Sequence, residues 1–433
     1  MAAVEVVVSP GPGETRLAVL EDGLVVQIVI ARSGAGTGSV WLGRIVRAER
    51  GLGFVDIGGT RPGVAFAKGL AEGQSVLVQC VVEARADKGP ELSIKPSLAG
   101  RMVAYTPAAP GVAVSRRISD LAERERLLAA ARAHAAPDEG VVVRTQAVGA
   151  ATAALAEDLG ALRAAWRDIQ ARAAATQPPA LLWEPDPLDR ILADLPNVRA
   201  IIVDDDAAFA AVRRRFPELA ARHRDGSAFA AYGIDDTLSE ALEPRVSLPS
   251  GGSLVIEETT ALTAIDVNSG GGKAGDANRE AVAAIARQLR LRNLSGHIVV
   301  DFIPERGREA RRGLIEAMRR AVASDPVPTH VVGTSPLGLV EMTRERRRAS
   351  LSELMLETTR NLTAEALALE ALRRLVRESG GHGAPTITAA PEVTEALRRL
   401  PQAMGAAADR IGRMPVLRGE AGRGRDDIDI TWA

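Results

Sequence analysis

Apolar and polar residues alternate with a period of two through VEVVV, RLAVL and LVVQIVI, which predicts strands of one sheet over residues 1–38, ending in the turn-rich Ser33-Gly-Ala-Gly-Thr-Gly38. From Ser39 to Pro96 the runs shorten to SVWLGRIVRAE, GFVDIGG, GVAFA, SVLVQCVVEA and ELSIK. Five short strands broken by Gly turns suit a small OB-type barrel better than an open sheet. Residues 97–178 combine one strand, VVVRTQA, with two helical stretches, SDLAERERLLAAARAHA and LAEDLGALRAAWRDIQARAAA. After Pro178-Pro179 a new α/β portion opens with LLWEP and IIVDDD.

Residues 251–350 are the most strongly patterned. SLVIEE, a Thr-Thr turn and ALTAIDV predict a hairpin, followed by a Gly-rich loop. A helix from about Asp276 carries Val282, Ile285, Ala286 and Leu289 on one face and ends near Gly296. It runs straight into HIVVDFI, the near-continuous apolar run of a buried strand. Strand, helix, strand implies a parallel pair. Past Leu351 the chain is expected to be helical to about Arg377 and to lose pattern around Gly380–Pro385, and its last fifty residues are the least readable.

A chain of 433 residues is too long for one core and sufficient for two to four domains. An apolar share of 46% with 25% charged residues fits folded soluble protein. The net charge of −1 argues neither for nor against a nucleic-acid partner. Between Arg287 and Arg348, however, 13 Arg and no Lys face only 7 acids. That surplus would attract a phosphate backbone, or it would be a solvated surface of Arg–Glu pairs. Cys80 is the only cysteine, which excludes an intramolecular disulfide and a zinc site of paired thiolates. The first residues show no basic leader before an apolar core, and no run approaches the ~18 apolar residues of a membrane span. A cytoplasmic location is the expectation.

Asp266 and Asn268 stand two apart on a predicted strand, so their side chains share one face of the sheet. Asp301 lies near the carboxyl end of the neighbouring or next-nearest parallel strand, where open α/β sheets place ligands. Two converging carboxylates suit magnesium, with manganese also admissible, and such a site suits phosphodiester hydrolysis. A lone Asp at a strand end is ordinarily a helix or turn cap, and pairing two acids weakens that reading only modestly. The loop Ser269-Gly-Gly-Gly-Lys273 is not a Walker A loop, since Val267 replaces its first Gly and Ala274 its Ser or Thr. In the barrel, Phe54 and Phe66 are candidates for stacking on unpaired bases, with Lys88 nearby for phosphate. Position alone puts Phe66 in the barrel core and leaves Phe54 even. Arg144 and Thr145 offer a forked cation and a hydroxyl for a terminal phosphate, though such a pair on an edge strand is ordinarily surface.

Taken together, SLPSGGSLVIEETTALTAIDVNSG and EAVAAIARQLRLRNLSGHIVVDFI resemble the catalytic region of the ribonuclease E/G family, with weaker similarity from about Val40 to Ser350. The resemblance implies an α/β multi-subdomain fold: an RNase-H-like subdomain with an inserted OB-fold β-barrel and 5′-sensor, then a deoxyribonuclease-I-like α/β catalytic subdomain. On this sequence the parts fall at 1–38 and 179–245 for the RNase-H-like portion, 39–96 for the barrel, 97–178 for the sensor, 246–350 for the catalytic subdomain, and 351–433 for a helical linker and reduced small domain. It further implies a magnesium-dependent endoribonuclease acting on single-stranded RNA, with Asp266, Asn268 and Asp301 at the metal site. Gly100, Arg144 and Thr145 become a sensor that favours RNA with a 5′-monophosphate, and the products carry a 5′ phosphate and a 3′ hydroxyl.

Phe54 and Lys88 match the barrel's RNA contacts. The second aromatic of that family falls on Val64 here, leaving Phe66 as a displaced substitute. The cysteines of the family's zinc link are absent, so zinc is not expected and any homodimer would form by another route. The competing expectation is an RNA-binding or ribosome-associated protein that keeps the scaffold with little turnover.

Overall fold

The computed structural model of the chain describes residues 3–32, 34, 36–85, 88–195, 197–305, 307–357, 362–378 and 383–432. Two compact units follow one another, Met1–Leu356 and Glu357–Ala433.

In the first unit, the strands Val4–Gly11, Glu14–Glu21 and Leu24–Arg32 form an antiparallel meander. Its second turn is Asp22-Gly23, both at positive φ (49° and 81°), as a tight hairpin requires. Two later strands, Val198–Val203 and Ala220–Arg222, join the same sheet in parallel beside Val4–Gly11. The roughly 160 residues between the meander and those strands are therefore an excursion from one sheet. Valine and isoleucine side chains fill both faces, as a sheet covered on both sides demands.

The excursion begins with the barrel. Strands Val40–Glu49, Leu52–Asp56, Gly63–Phe66, Glu91–Ser93 and Ser75–Val82 pair in that order, and the last returns to the first, closing a five-stranded OB-like barrel. Val55, Ala65, Val78 and Cys80 fill it, each 0% exposed. Ala180–Trp183 adds to the outside of Val40–Glu49.

Next comes a four-stranded sheet in the order Gly111–Val114, Gly140–Val143, Val103–Thr106, Leu98–Ala99, packed against helices Leu121–His134 and Thr152–Ala175. Only one of these strands was predicted, and it is an interior strand rather than an edge. Arg144 and Thr145 lie just beyond its end, Thr145 opening a short 3-10 turn.

The last sheet of this unit has six strands: Arg245–Ser247, Ser253–Glu258, Thr263–Asn268, Gly296–Asp301, Val340–Arg344 and Thr329–Thr334. Its middle pair is parallel and is joined by helix Ala274–Leu291. That helix and Arg308–Val322 cover one face, burying Ile265, Val267, Ile285, Leu289, Ile298 and Val300. The opposite face carries the exposed Asp266 and Asp301.

Beyond it the expected continuous helix is broken. Ser350 caps Leu351–Met355 with a full capping box, the helix stops at Leu356, and a second helix starts at Ala364 behind its Thr363 cap. In the second unit, the expected helix Ala364–Arg377 and the two later helices Pro391–Arg398 and Pro401–Ile411 pack on a sheet ordered Val416–Gly419, Pro385–Ala389, Asp429–Trp432. Among the described residues no helix is long and apolar enough to cross a membrane.

Candidate active site

Strand register brings the two predicted carboxylates together. Asp266 is paired with Asp301 across the parallel strands Thr263–Asn268 and Gly296–Asp301, so the residues are immediate neighbours, with strands roughly 4.8 Å apart. Burial alternates along the first strand. Thr263, Ile265 and Val267 face the helices, while Asp266 and Asn268 are exposed on the other side. The Asn268 amide donates to Asp266 Oδ2 at 2.7 Å, fixing that carboxylate's orientation. Neither oxygen of Asp301, nor the second oxygen of Asp266, is bonded to a described residue. Three carboxylate oxygens are thus free to meet a cation.

Among the described residues no three or more His, Cys, Asp or Glu side chains gather in a metal-holding group. The Asp266–Asp301 pair is the smaller donor set that magnesium ordinarily uses, one or two carboxylates completed by water and substrate phosphate oxygens.

The loop after Asn268 packs tightly on its neighbour. A Cβ on Gly270 (φ +57°) would stand 2.1 Å from the Gly251 carbonyl oxygen, and one on Gly252 would stand 2.5 Å from that of Asn268. Only glycines allow the two loops this contact beside the carboxylates. Ser250 is held in turn, its amide donating to Glu280 at 2.9 Å.

Two residues passed over in the sequence support the Asp301 end. Asn278, 0% exposed, donates to the Ile303 carbonyl at 2.9 Å and to Glu305 Oε1 at 2.7 Å, while its oxygen accepts the Ile303 amide at 3.1 Å. The chain leaving Asp301 is clasped to the helix through one side chain. A polar residue on the apolar face of an amphipathic helix was the available signal.

On the barrel the expectation for Phe66 is corrected: its ring is 72% exposed. Gly63 and Ala65 point inward, so Val64 and Phe66 point out, and a barrel this narrow accepts only small side chains there. Phe54 is half-buried, paired directly with Val64 and diagonal to Phe66, with the Arg47 guanidinium 5.7 Å from its ring centre. The three form one outward patch. Lys88 is exposed in the following loop, with its backbone tied to Arg85; residues 86–87 of that loop lie outside the described residues. Cys80 is core as expected, and burial pushes its thiol up to about 12.

The Arg144 guanidinium donates to the Gly100 carbonyl at 3.0 Å and to Asp194 at 3.3 Å, so the predicted sensor residues Gly100 and Arg144 are in contact. Thr145 is half-buried next to them. Gly100 is confined by Asp158, whose carboxylate would lie 2.6 Å from an added Cβ and which accepts the amides of Met102 and Val103 at 2.8 and 2.9 Å.

The arginine surplus is partly internal: Arg344 pairs with Asp325 at 2.7 Å with both side chains buried, and Arg290, Arg319, Arg346 and Arg347 also meet acids.

Residues 97–347 match the model of the ribonuclease E/G family, more than half of the chain. The chain belongs to the ribonuclease E/G family. Among its relatives, ribonuclease G of Escherichia coli is 31% identical over 450 aligned positions, covering 91% of this chain and 92% of that protein. Ribonuclease G of Haemophilus influenzae is likewise 31% identical over 87% of this chain. Ribonuclease E of Nostoc sp. is 36% identical over 79% of this chain, a match spanning 56% of that longer protein. The matched region of the family holds both the Asp266–Asp301 pair and the Gly100–Arg144 contact.

Proposed function

We propose that this member of an endoribonuclease family cuts single-stranded RNA in RNA processing, using a magnesium ion held by Asp266 and Asp301 and preferring RNA with a 5′-monophosphate. The observation that carries the reading is the strand pairing of Asp266 with Asp301, with three carboxylate oxygens free and Asn268 fixing the fourth.

Bound there, magnesium would supply a water of lowered pKa and a counter-charge for the scissile phosphate. The carboxylates hold that charge at the sheet surface, and Asn268 keeps Asp266 aimed. The outward patch of Phe54, Val64 and Phe66 gives unpaired bases a stacking platform, with Arg47 and Lys88 for the backbone. Arg144, with Thr145 beside it, would exchange its contact with Asp194 for a terminal phosphate. On this reading the split sheet is the RNase-H-like subdomain, the sheet of Gly140–Val143 the 5′-sensor, and the six-stranded sheet the deoxyribonuclease-I-like catalytic subdomain.

Asp266→Asn tests the assignment. Cleavage should fall by orders of magnitude while binding of the same RNA, measured by fluorescence anisotropy, stays within about threefold. Undiminished cleavage by a folded variant would remove Asp266 from the site.

A further inference from the structure

Away from the carboxylate face, a cavity of about 600 Å³ opens inside the first unit between the strand Leu24–Arg32, the segment after Glu184 and the residues before Leu351. Its volume is in the range of small-molecule sites, roughly 300–1,000 Å³. Ile28, Ile30, Leu351 and Leu354 supply apolar wall, and the charged wall is Glu14, Arg32, Glu83, Glu184, Arg190 and Arg348.

These charges balance formally but differ in how they are satisfied. Glu14 accepts from Arg16 at 2.7 Å and Arg32 at 3.0 Å. Glu83 accepts the Thr37 amide at 3.1 Å and the Ala349 amide at 2.8 Å, and Glu184 accepts the Gly34 amide at 2.7 Å. The guanidiniums of Arg190 and Arg348 make no hydrogen bond and no ion pair with any described residue, although they are close enough for each to feel Glu83 and Asp194. Burial, and for Arg348 also the charge of Arg190, lowers the pKa of both, that of Arg348 to about 10. Their backbones are fixed: Asn293 donates to the Arg348 carbonyl at 3.0 Å, and Arg190 sits in the helix Pro187–Leu192.

A guanidinium carries five N–H donors and no acceptor, so two of them with no hydrogen bond to a described residue in one cavity call for an anion. We propose that this cavity binds a phosphate monoester of nucleotide size, its phosphate held by Arg190 and Arg348 and its apolar part laid on Ile28, Ile30 and Leu354. The site is separate from the carboxylate pair, and the proposal does not depend on the catalytic assignment. The phosphate could come from a free nucleotide or from an RNA 5′ end, and the chemistry is the same.

The test is calorimetric titration of the full chain with adenosine 5′-monophosphate and with adenosine, then with a short RNA bearing a 5′-phosphate or a 5′-hydroxyl in an Arg144→Ala background. The nucleotide should bind at least about tenfold more tightly than the nucleoside, and Arg348→Gln should remove that advantage, as expected for losing charge-assisted hydrogen bonds. Leu354→Trp, which fills the cavity and leaves its charges alone, should block the same ligand and covers the case in which Arg348→Gln does not fold. Phosphate-dependent binding confined to the RNA arm, and lost in Arg348→Gln, assigns the phosphate to an RNA end. Equal affinity for nucleotide and nucleoside with no phosphate effect in the RNA arm, or binding unchanged in both variants, overturns the proposal.

Discussion

Asn278→Ala removes the side chain that ties the segment after Asp301 to the helix beneath it. The Ile303 amide and carbonyl would both lose their partner, and Glu305 would lose a donor. An orphaned buried backbone group costs about 1–3 kcal/mol. Ile303 is only half-buried, so water would meet part of the need, and a total of about 2–3 kcal/mol is expected for the local clasp. Amide hydrogen exchange at Ile303 reads this directly: at 1.4 kcal/mol per tenfold, exchange should quicken roughly 30- to 150-fold. Cleavage should fall with it, because Asp301 stands two residues upstream, and Asn278→Asp should restore only the contact with the Ile303 amide. Ile303 exchange within threefold of the parent in a folded Asn278→Ala protein would refute the clasp.

Phe54→Ala and Phe66→Ala should each weaken binding of single-stranded RNA by about 1–3 kcal/mol in anisotropy titrations, without lowering the melting temperature for Phe66, whose ring is exposed. Arg144→Ala should abolish the advantage of a 5′-monophosphate over a 5′-hydroxyl in initial-rate assays and leave the rate on the 5′-hydroxyl substrate nearly unchanged. Glu139, buried and held below the usual carboxylate range first by its bond to Arg163, stabilises the fold above its unfolded pKa near 4.5 and loses that contribution as pH falls through its lower folded value. Glu139→Gln should therefore lower the melting temperature at pH 7 and flatten its decline below about pH 4.5.

Long elements with one buried face were legible. The alternation of ALTAIDV and the apolar run HIVVDFI, joined by an amphipathic helix, led to the parallel pair and to the two carboxylates, because periodicity of that length has one structural solution. The five strands of the barrel were legible from the Gly turns that mark their ends, since Gly63–Phe66 and Glu91–Ser93 have only four and three residues. Leu98–Ala99, Val103–Thr106 and Gly111–Val114 are two to four residues long and carry no apolar run like the three valines of Gly140–Val143, so these three strands went unseen. Beyond Arg377, where helix was expected to end, the rest of the second unit failed similarly, its two later helices being short and started by Pro391 and Pro401 rather than by polar caps. Phe66 was misplaced because alternation gives two faces but not which one lines a narrow barrel; Ala65 at 0% exposure decides it. Asn278 and Glu305 were missed because their role depends on a turn after Asp301 that joins residues 25 and 27 positions apart.

Asp266 and Asp301 are proposed to form one metal-dependent cutting site for RNA. The most direct measurement is cleavage of a 5′-monophosphorylated single-stranded RNA by the purified protein with and without magnesium, beside Asp301→Asn and a DNA copy of the same sequence. Magnesium-dependent cutting of the RNA alone, absent in the variant and leaving 5′-phosphate ends, is expected; cutting that persists in Asp301→Asn, or tight RNA binding with no cutting by the parent protein, would rule out the carboxylate pair as the cutting site.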